Sequence, residues 1–155
     1  MLERLTDGFP MKLMGGILFL PLEKQLAMLL LFGILIFLDC FTRWIAISHA
    51  HLVSCGRQPT FLEAVCGIRE ARRQRLISSE IMKKRGTEKL ILYNLCVTAG
   101  IVSDALLQEA GASTDGMAGI VVSYLAATEA LSVIENLSDA GVSSMTELLK
   151  KLRGR

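Results

Sequence analysis

The stretch at residues 25–47, QLAMLLLFGILIFLDCFTRWIAI, is predominantly apolar. Its only charged residues are Asp39 and Arg43, and Trp44 stands near its end. An α-helix needs about 20 predominantly apolar residues to cross the hydrocarbon core of a bilayer. Trp favours the membrane–water interface, and Arg can reach it with its long side chain. The stretch therefore predicts a membrane-spanning helix that ends close to Trp44.

Two further stretches, residues 90–112 and 116–137, have the same character. Each is interrupted by only two charges, which are Asp104 and Glu109 in the first and Glu129 and Glu135 in the second. Hydrophobic residues make up 52% of the 155-residue chain, its mean hydropathy is +0.46, and 21% of its residues are still charged. A soluble globule of this length cannot bury so much apolar surface. The composition therefore excludes a soluble domain and predicts about three membrane spans.

The predicted fold is all-α, an integral membrane helical bundle of about three transmembrane helices with an amphipathic cytoplasmic insertion. Its predicted segments are an N-terminal interfacial segment (1–24), a first transmembrane helix (25–47), a basic cytoplasmic insertion (48–89), a second transmembrane helix (90–110), an outer loop (111–116), a third transmembrane helix (117–138) and a basic cytoplasmic tail (139–155). The sequence leaves open whether residues 11–22, too short an apolar run to span, form a membrane segment. Within the insertion, Thr60 and Glu63 have the spacing of a capping box that begins a helix. Ser78 or Ser79 is expected to begin a second short turn that ends near Gly86.

The basic residues indicate the orientation. Between residues 57 and 89 there are nine Lys and Arg residues against four Glu, and four more Lys and Arg residues lie in the tail after residue 149. Lys and Arg close to span ends collect on the cytoplasmic side. Insertion and tail are therefore both expected in the cytoplasm, which with three spans gives an N-out, C-in topology.

The third span carries two distinct stripes when it is drawn as a helix. One consists of small residues, which allow helix backbones to approach closely in lipid; its members are Gly119, Ser123, Ala126, Ala127 and Ala130. The other is polar and comprises Tyr124, Thr128, Ser132 and Glu135, with Glu129 and Asn136 on its flank. Two interpretations remain open. Either the small stripe packs subunits together and the polar stripe lines water in a pore, or both stripes are satisfied inside a compact bundle.

Glu129 and the Asp39–Arg43 pair are the intramembrane charges that need an explanation. A charged side chain at the centre of a membrane helix costs about 2.5–3.5 kcal/mol on insertion scales. Glu129 is therefore expected either to face water or to pair with Arg43. Asp39 and Arg43 stand at positions i and i+4 and share a helix face, so they are predicted to pair. That pair either neutralises itself near the inner interface or joins two subunits.

The remaining polar residues do not suggest catalysis. In the second span, Gly100 and Ser103 belong to a small face that predicts helix packing. His49, His51 and Cys55 match no common metal-ligand spacing, so no metal is expected. No pairing of a nucleophile with a base and no phosphate-binding loop is present in the sequence, which predicts neither an enzyme nor a cofactor. The basic insertion favours anionic membrane lipids over nucleic acid as its partner, because it adjoins a membrane span and has few interleaved aromatic residues.

Three segments resemble the phage holin family that includes the clostridial toxin-secretion holins. Phe37-Leu-Asp-Cys-Phe-Thr42 is similar to that family's Leu-Asp-x-x-Thr signature. The segment from Ile77-Ser-Ser to Arg85-Gly-Thr-Glu-Lys-Leu-Ile-Leu-Tyr93 resembles its basic approach to the next span. Ser123-Tyr-Leu-Ala-Ala-Thr-Glu-Ala-Leu-Ser-Val-Ile-Glu-Asn136 resembles its most recognisable stretch, an aromatic residue followed by Glu-x-x-Ser-x-x-Glu-Asn.

The resemblance implies a small protein of the bacterial inner membrane that forms homo-oligomers and releases an endolysin or a toxin. The expected function is therefore a holin-like pore or lesion former that associates with itself and with membrane lipids. The alternative is a membrane adaptor that forms no pore and uses its basic cytoplasmic loop to dock a partner.

Overall fold

A computed structural model describes residues 22–111 and 116–154 of the chain. These residues form five helices, which are α1 (Leu22–Ser54), α2 (Phe61–Arg73), α3 (Ser79–Glu109), α4 (Met117–Asp139) and α5 (Ser143–Leu152). Three of them contain segments long and apolar enough to cross a membrane, at Leu26–Ser54, Met82–Glu109 and Met117–Asp139. The prediction of an all-helical membrane protein with three spans is confirmed. The predicted interfacial segment lies almost entirely outside the described residues, as do positions 112–115 of the predicted outer loop.

Helices α1 and α3 are longer than a membrane span requires. They have 33 and 31 residues, whereas about 20 suffice to cross the hydrocarbon core. The expected short turn ending near Gly86 is wrong, because α3 runs without a break from Ser79 through Gly86 into the apolar run. A Cβ at Gly86 would lie 3.6 Å from Ile36 of α1, which is ordinary van der Waals contact. Gly86 therefore lies inside α3 at its approach to α1 and ends no helix.

Helix α2 begins with the predicted capping box. The Glu63 backbone N–H bonds to the Thr60 hydroxyl at 3.4 Å, and the Thr60 backbone N–H donates to the Glu63 carboxylate at 2.7 Å. The hydrogen bonds from the Thr60 backbone and hydroxyl lower the pKa of the exposed Glu63 carboxyl. The cap is therefore complete at neutral pH.

Helix α2 packs against the end of α1 through small residues. Ala64 is fully buried and joins Ile45, Ala46 and Ala140 in one apolar cluster. A Cβ at Gly67 would lie only 2.6 Å from the Ser48 hydroxyl oxygen, so a side chain there would have to displace that hydroxyl. Since the cluster contains residues of α1, of α2 and of the α4–α5 junction, the insertion and the tail lie at the same end of the bundle.

At the opposite end, α3 and α4 form a close hairpin. A Cβ at Gly100 would meet the Ala118 Cα at 2.8 Å. Asp104 of α3 accepts hydrogen bonds from the backbone N–H groups of Met117 at 2.8 Å and Ala118 at 3.0 Å. The first N–H groups of a helix have no partner within it, and Gly116 offers no side-chain cap. Asp104 therefore caps α4 from the neighbouring helix and fixes the hairpin.

Candidate functional site

The candidate site is a polar network where α1, α3 and α4 meet. Along α1 it lies between two apolar layers. On one side Phe32 and Ile36 are buried, with the Phe32 ring edge-on to Tyr93 at 5.5 Å between centroids. On the other side begins the cluster that contains Ile45 and Ala46. Apolar packing above and below holds the polar side chains of the network in fixed positions.

Asp39 accepts hydrogen bonds from both other spans. Its Oδ2 accepts a hydrogen bond from the Lys89 ammonium of α3 at 2.8 Å. Its Oδ1 accepts hydrogen bonds from the Ser132 hydroxyl at 2.6 Å and from the Asn136 side-chain amide at 2.9 Å, both on α4. One carboxylate on α1 thus connects the three spans.

Glu129 is the most deeply buried charged residue of the network, with 1% of its surface exposed. Lys89 Nζ lies 2.9 Å from its Oε1 and 3.1 Å from its Oε2. The Tyr93 hydroxyl, one helical turn beyond Lys89, donates to Oε1 as well. Lys89 therefore bridges Asp39 and Glu129, and Tyr93 supplies a further donor to the deeper carboxylate.

Asn136 joins α4 to α1 directly. Its side-chain amide donates to the Asp39 backbone carbonyl at 3.2 Å and to the Thr42 hydroxyl oxygen at 3.3 Å. The Thr42 hydroxyl in turn donates to the Leu38 carbonyl at 2.8 Å. Both Asn136 and Thr42 are buried. A buried polar group without a partner is costly, so these contacts strongly favour one register of α4 against α1.

The network contains two carboxyl groups and one ammonium group, and one side of it is open. A cavity of about 300 Å³ reaches Asp39, Lys89 and Ser132, and it is also lined by Arg43 and Arg85. Lys89 keeps 35% of its side chain exposed. The arrangement holds helices together by charge and hydrogen bonds, and the cavity reaches it from the side that carries Arg43 and Arg85.

The predicted Asp39–Arg43 pair is not formed within the described subunit. Asp39 directs both carboxylate oxygens to α3 and α4, whereas Arg43 lies 3.6 Å from Asp139 at the end of α4. Arg43 and Asp139 are both more than half exposed. The predicted contact between Arg43 and Glu129 is likewise replaced by Lys89. The physical reason is that Lys89 faces both carboxylates from α3, while Arg43 stands one turn nearer the polar end of α1.

The structure divides the predicted polar stripe of α4 into two faces. Glu129 and Asn136 are buried, and Ser132 is half-buried and bonded to Asp39. Tyr124 and Thr128 are exposed, and the Thr128 hydroxyl bonds only to the Tyr124 carbonyl within α4. Glu135 is half-buried and pairs with Arg153 beyond α5 at 2.6 Å.

The small-residue stripe of α4 lies on the outside of the subunit. Gly119, Ser123, Ala127 and Ala130 are exposed and Ala126 is half-buried. A Cβ at Gly119 would meet nothing within 4 Å. By contrast, Gly100 faces α4 across the hairpin, and the Ser103 hydroxyl bonds to the Ala99 carbonyl of its own helix at 2.8 Å. The two predicted small faces therefore differ, because one is used within the subunit and the other is free.

Sequence reasoning missed Lys89, Tyr93 and Thr42 as members of the site. Lys89 closes a charged insertion, and that position predicts a cytoplasmic residue. The available signal was its position directly before an apolar run, four residues from Tyr93 and on the same helix face. Two acidic residues in neighbouring spans also require a cation that can reach both.

The three segments quoted for their resemblance meet in this network. Asp39 and Thr42 come from the first, Lys89 and Tyr93 from the second, and Glu129, Ser132 and Asn136 from the third. Searches of curated proteins and of solved structures give no match. A sequence model described as the bacteriophage holin family matches residues 59–154, which is more than half of the chain and includes α2 through α5. With three apolar spans and this match, the chain belongs to the bacteriophage holin family.

Proposed function

We propose that this protein is a homo-oligomeric pore or lesion former that lets an endolysin or another protein cargo leave the cell. As a holin-family chain with three apolar spans, it is a multi-pass protein of the bacterial inner membrane. The observation that carries the proposal is the exposed small-residue stripe of α4. Asp39 and Glu129 are both paired with Lys89 inside the subunit. The small-residue stripe is a surface on which another copy can pack.

The small-residue stripe suits association in lipid for a physical reason. Lipid tails are as apolar as Leu, so helices in a bilayer gain little from hydrophobicity and associate where backbones approach closely. Gly119 and Ala130 present almost no side chain, and the space beyond Gly119 is open. We therefore place the subunit interface along this stripe.

Water in the open assembly would meet a different face of α4. Helix α4 has three faces, which at 3.6 residues per turn lie roughly 100–120° apart around its axis. They are the buried face around Glu129, the small stripe, and the face with the exposed pair Tyr124 and Thr128. In the subunit as it stands, Tyr124 and Thr128 are the members of the predicted polar stripe that a pore could use directly. Glu129 would line water only if α4 turned or separated from Lys89, so its pore-lining role remains a prediction.

The orientation follows from the basic residues. The insertion and tail lie at one end of the bundle, and Lys and Arg near span ends favour the cytoplasmic side. We propose that this end is cytoplasmic and that the α3–α4 hairpin faces outward. The topology is then N-out, C-in.

One observation favours the adaptor alternative, namely that Leu62 on α2 is 73% exposed. Purified protein in liposomes tests the pore against that alternative. The wild-type protein alone should release a trapped dye, and Gly119→Leu should release much less. Ile120→Leu, which places the same side chain at an exposed position beside the stripe, should release as much as wild type. Liposomes that stay sealed at every protein density would contradict the pore and support the adaptor.

A further inference from the structure

We infer that a groove between α1, α2 and α3 is a binding site for an anionic phospholipid. The groove has two connected parts, which share Phe37 and Lys83 in their linings. One part is a cavity of about 330 Å³ and the other a cavity of about 260 Å³. The inference is independent of pore formation, because it concerns the end of the bundle that carries the basic insertion.

The larger cavity combines an aromatic wall with two cations. Phe37 and Phe41 stack at 6.2 Å between ring centroids, and Trp44 continues the wall towards the end of the span. The charged residues among the described lining are Arg72 of α2 and Lys83 of α3, both exposed and both positive. Aromatic residues at the interface and cations just beyond it match the two parts of a phospholipid, its acyl region and its phosphate.

The smaller cavity extends the site into the apolar region. It is lined by Gly33, Ile36 and Leu90, and Lys83 stands at its polar end. Gly33 leaves open space where any other residue would place a side chain. An acyl chain lying along this groove would bring its phosphate to the level of Arg72 and Lys83. A free inorganic anion would leave the apolar part empty, and for that reason we commit to a lipid.

Trp44 adds a polar feature to the same wall. Its Nε1 is buried and has no hydrogen-bond partner among the described residues. A buried donor without an acceptor is unfavourable. If the indole turns towards the groove, an ester or phosphate oxygen of a bound lipid would be a suitable acceptor for it.

Trp44 is the only Trp in the chain and therefore reports on the groove directly. The full-length protein is reconstituted in phosphatidylcholine vesicles that contain a small fraction of brominated phosphatidylglycerol or brominated phosphatidylcholine. Bromine on the acyl chain quenches the fluorescence of a neighbouring indole. We expect phosphatidylglycerol to compete for the position beside Trp44 at least fivefold better than phosphatidylcholine.

Matched variants separate a site from general electrostatic attraction. Arg72→Gln with Lys83→Gln should reduce the preference to nearly onefold, while quenching by brominated phosphatidylcholine stays unchanged and shows that the fold is intact. Arg73→Gln with Lys84→Gln removes the same charge from the same helices outside the cavity lining, and it should leave the preference within twofold of wild type. Equal loss in both double variants, or no preference in the wild type, would overturn the site. Loss of the preference when inorganic phosphate replaces chloride at constant ionic strength would overturn the lipid as its occupant.

Discussion

Lys89 shows how one residue can make a polar membrane segment tolerable. It lies within 3 Å of one oxygen each of Asp39 and Glu129, two carboxylates from different spans. An isolated charge at the centre of a membrane helix is expensive. A cation between two anions reduces that cost for both. Tyr93 donates a further hydrogen bond to Glu129, and Asn136 donates one to Asp39. The stability of the subunit should therefore depend strongly on Lys89.

Lys89→Gln is expected to destabilise the subunit by about 3 kcal/mol, since it leaves two neighbouring carboxylates without their cation. Arg43→Gln removes an exposed pair with Asp139 and should cost less than about 1 kcal/mol. The measurement is the midpoint of unfolding of the detergent-solubilised protein. Equal losses in the two variants would contradict the central place of Lys89.

A double-mutant cycle checks the partner of Glu129. Glu129→Gln alone should cost less than Lys89→Gln, because Lys89 retains Asp39. The double variant Lys89→Gln with Glu129→Gln should recover part of the loss that Lys89→Gln causes. Arg43→Gln combined with Glu129→Gln should show simple additivity. If the energies instead couple Glu129 to Arg43 and not to Lys89, the pairing of Glu129 with Lys89 is contradicted.

For Glu129 and Asp39, the sequence predicts that a partner is needed but not which residue it is. The need of Glu129 for water or a partner follows from its position in an apolar run. Its actual partner does not, because Lys89 lies 40 positions away and the choice depends on which faces of α3 and α4 meet. Asp39 and Arg43 satisfied the i,i+4 rule, yet tertiary contacts gave Asp39 three better donors.

At the scale of elements, α4 uses three faces for three purposes. One binds α1 and α3 through Glu129 and Asn136, one presents small residues, and one carries the exposed Tyr124 and Thr128. The spans, the α2 cap and the small stripe follow from periodicity and composition. The division of the polar stripe into a buried and an exposed part does not, since polar residues at neighbouring positions look alike until the packing is known.

The α3–α4 hairpin should be sensitive to the smallest possible change at Gly100. Gly100→Ala places a Cβ 2.8 Å from the Ala118 Cα, and overpacking of this kind typically costs about 1–3 kcal/mol. Gly33→Ala is the matched control because a Cβ there meets nothing within 4 Å, and Gly33 lies outside the proposed subunit interface. It should be neutral or slightly stabilising for the subunit in detergent. If both variants unfold at the same denaturant concentration, the close approach of the two helices is wrong.

Helix α2 should fray when its cap is removed. Thr60→Ala eliminates the hydroxyl that bonds the Glu63 N–H, and amide hydrogens of the first turn should exchange several-fold faster. Because the cap lowers the pKa of Glu63, its contribution is present above the unfolded pKa and is lost as pH falls through the lowered one. The difference between wild type and variant should therefore narrow in strongly acidic solution, where the Thr60 hydroxyl still accepts from the Glu63 N–H but no longer donates to an ionised carboxylate. A difference that persists unchanged there would contradict the role of the ionised Glu63.

At the scale of the whole molecule, the orientation can be read from cysteines. Cys55 and Cys66 are both exposed at the end that carries the basic insertion. In intact cells, a membrane-impermeant thiol reagent should leave these two unlabelled and should label a Ser113→Cys variant in the predicted outer loop. Labelling of Cys55 without labelling of the new cysteine would reverse the topology.

We propose that copies of this three-span subunit assemble through the small-residue stripe of α4. The most direct test is the mass of the detergent-solubilised particle, measured by size-exclusion chromatography with light scattering. Wild type and Ile120→Leu should give the same oligomer, whereas Gly119→Leu should shift the particle to monomers or dimers while it keeps its helical content. Two results would contradict this assembly. One is a wild-type protein that is monomeric both under these conditions and in chemical crosslinking from membranes; the other is an oligomer that Gly119→Leu leaves intact.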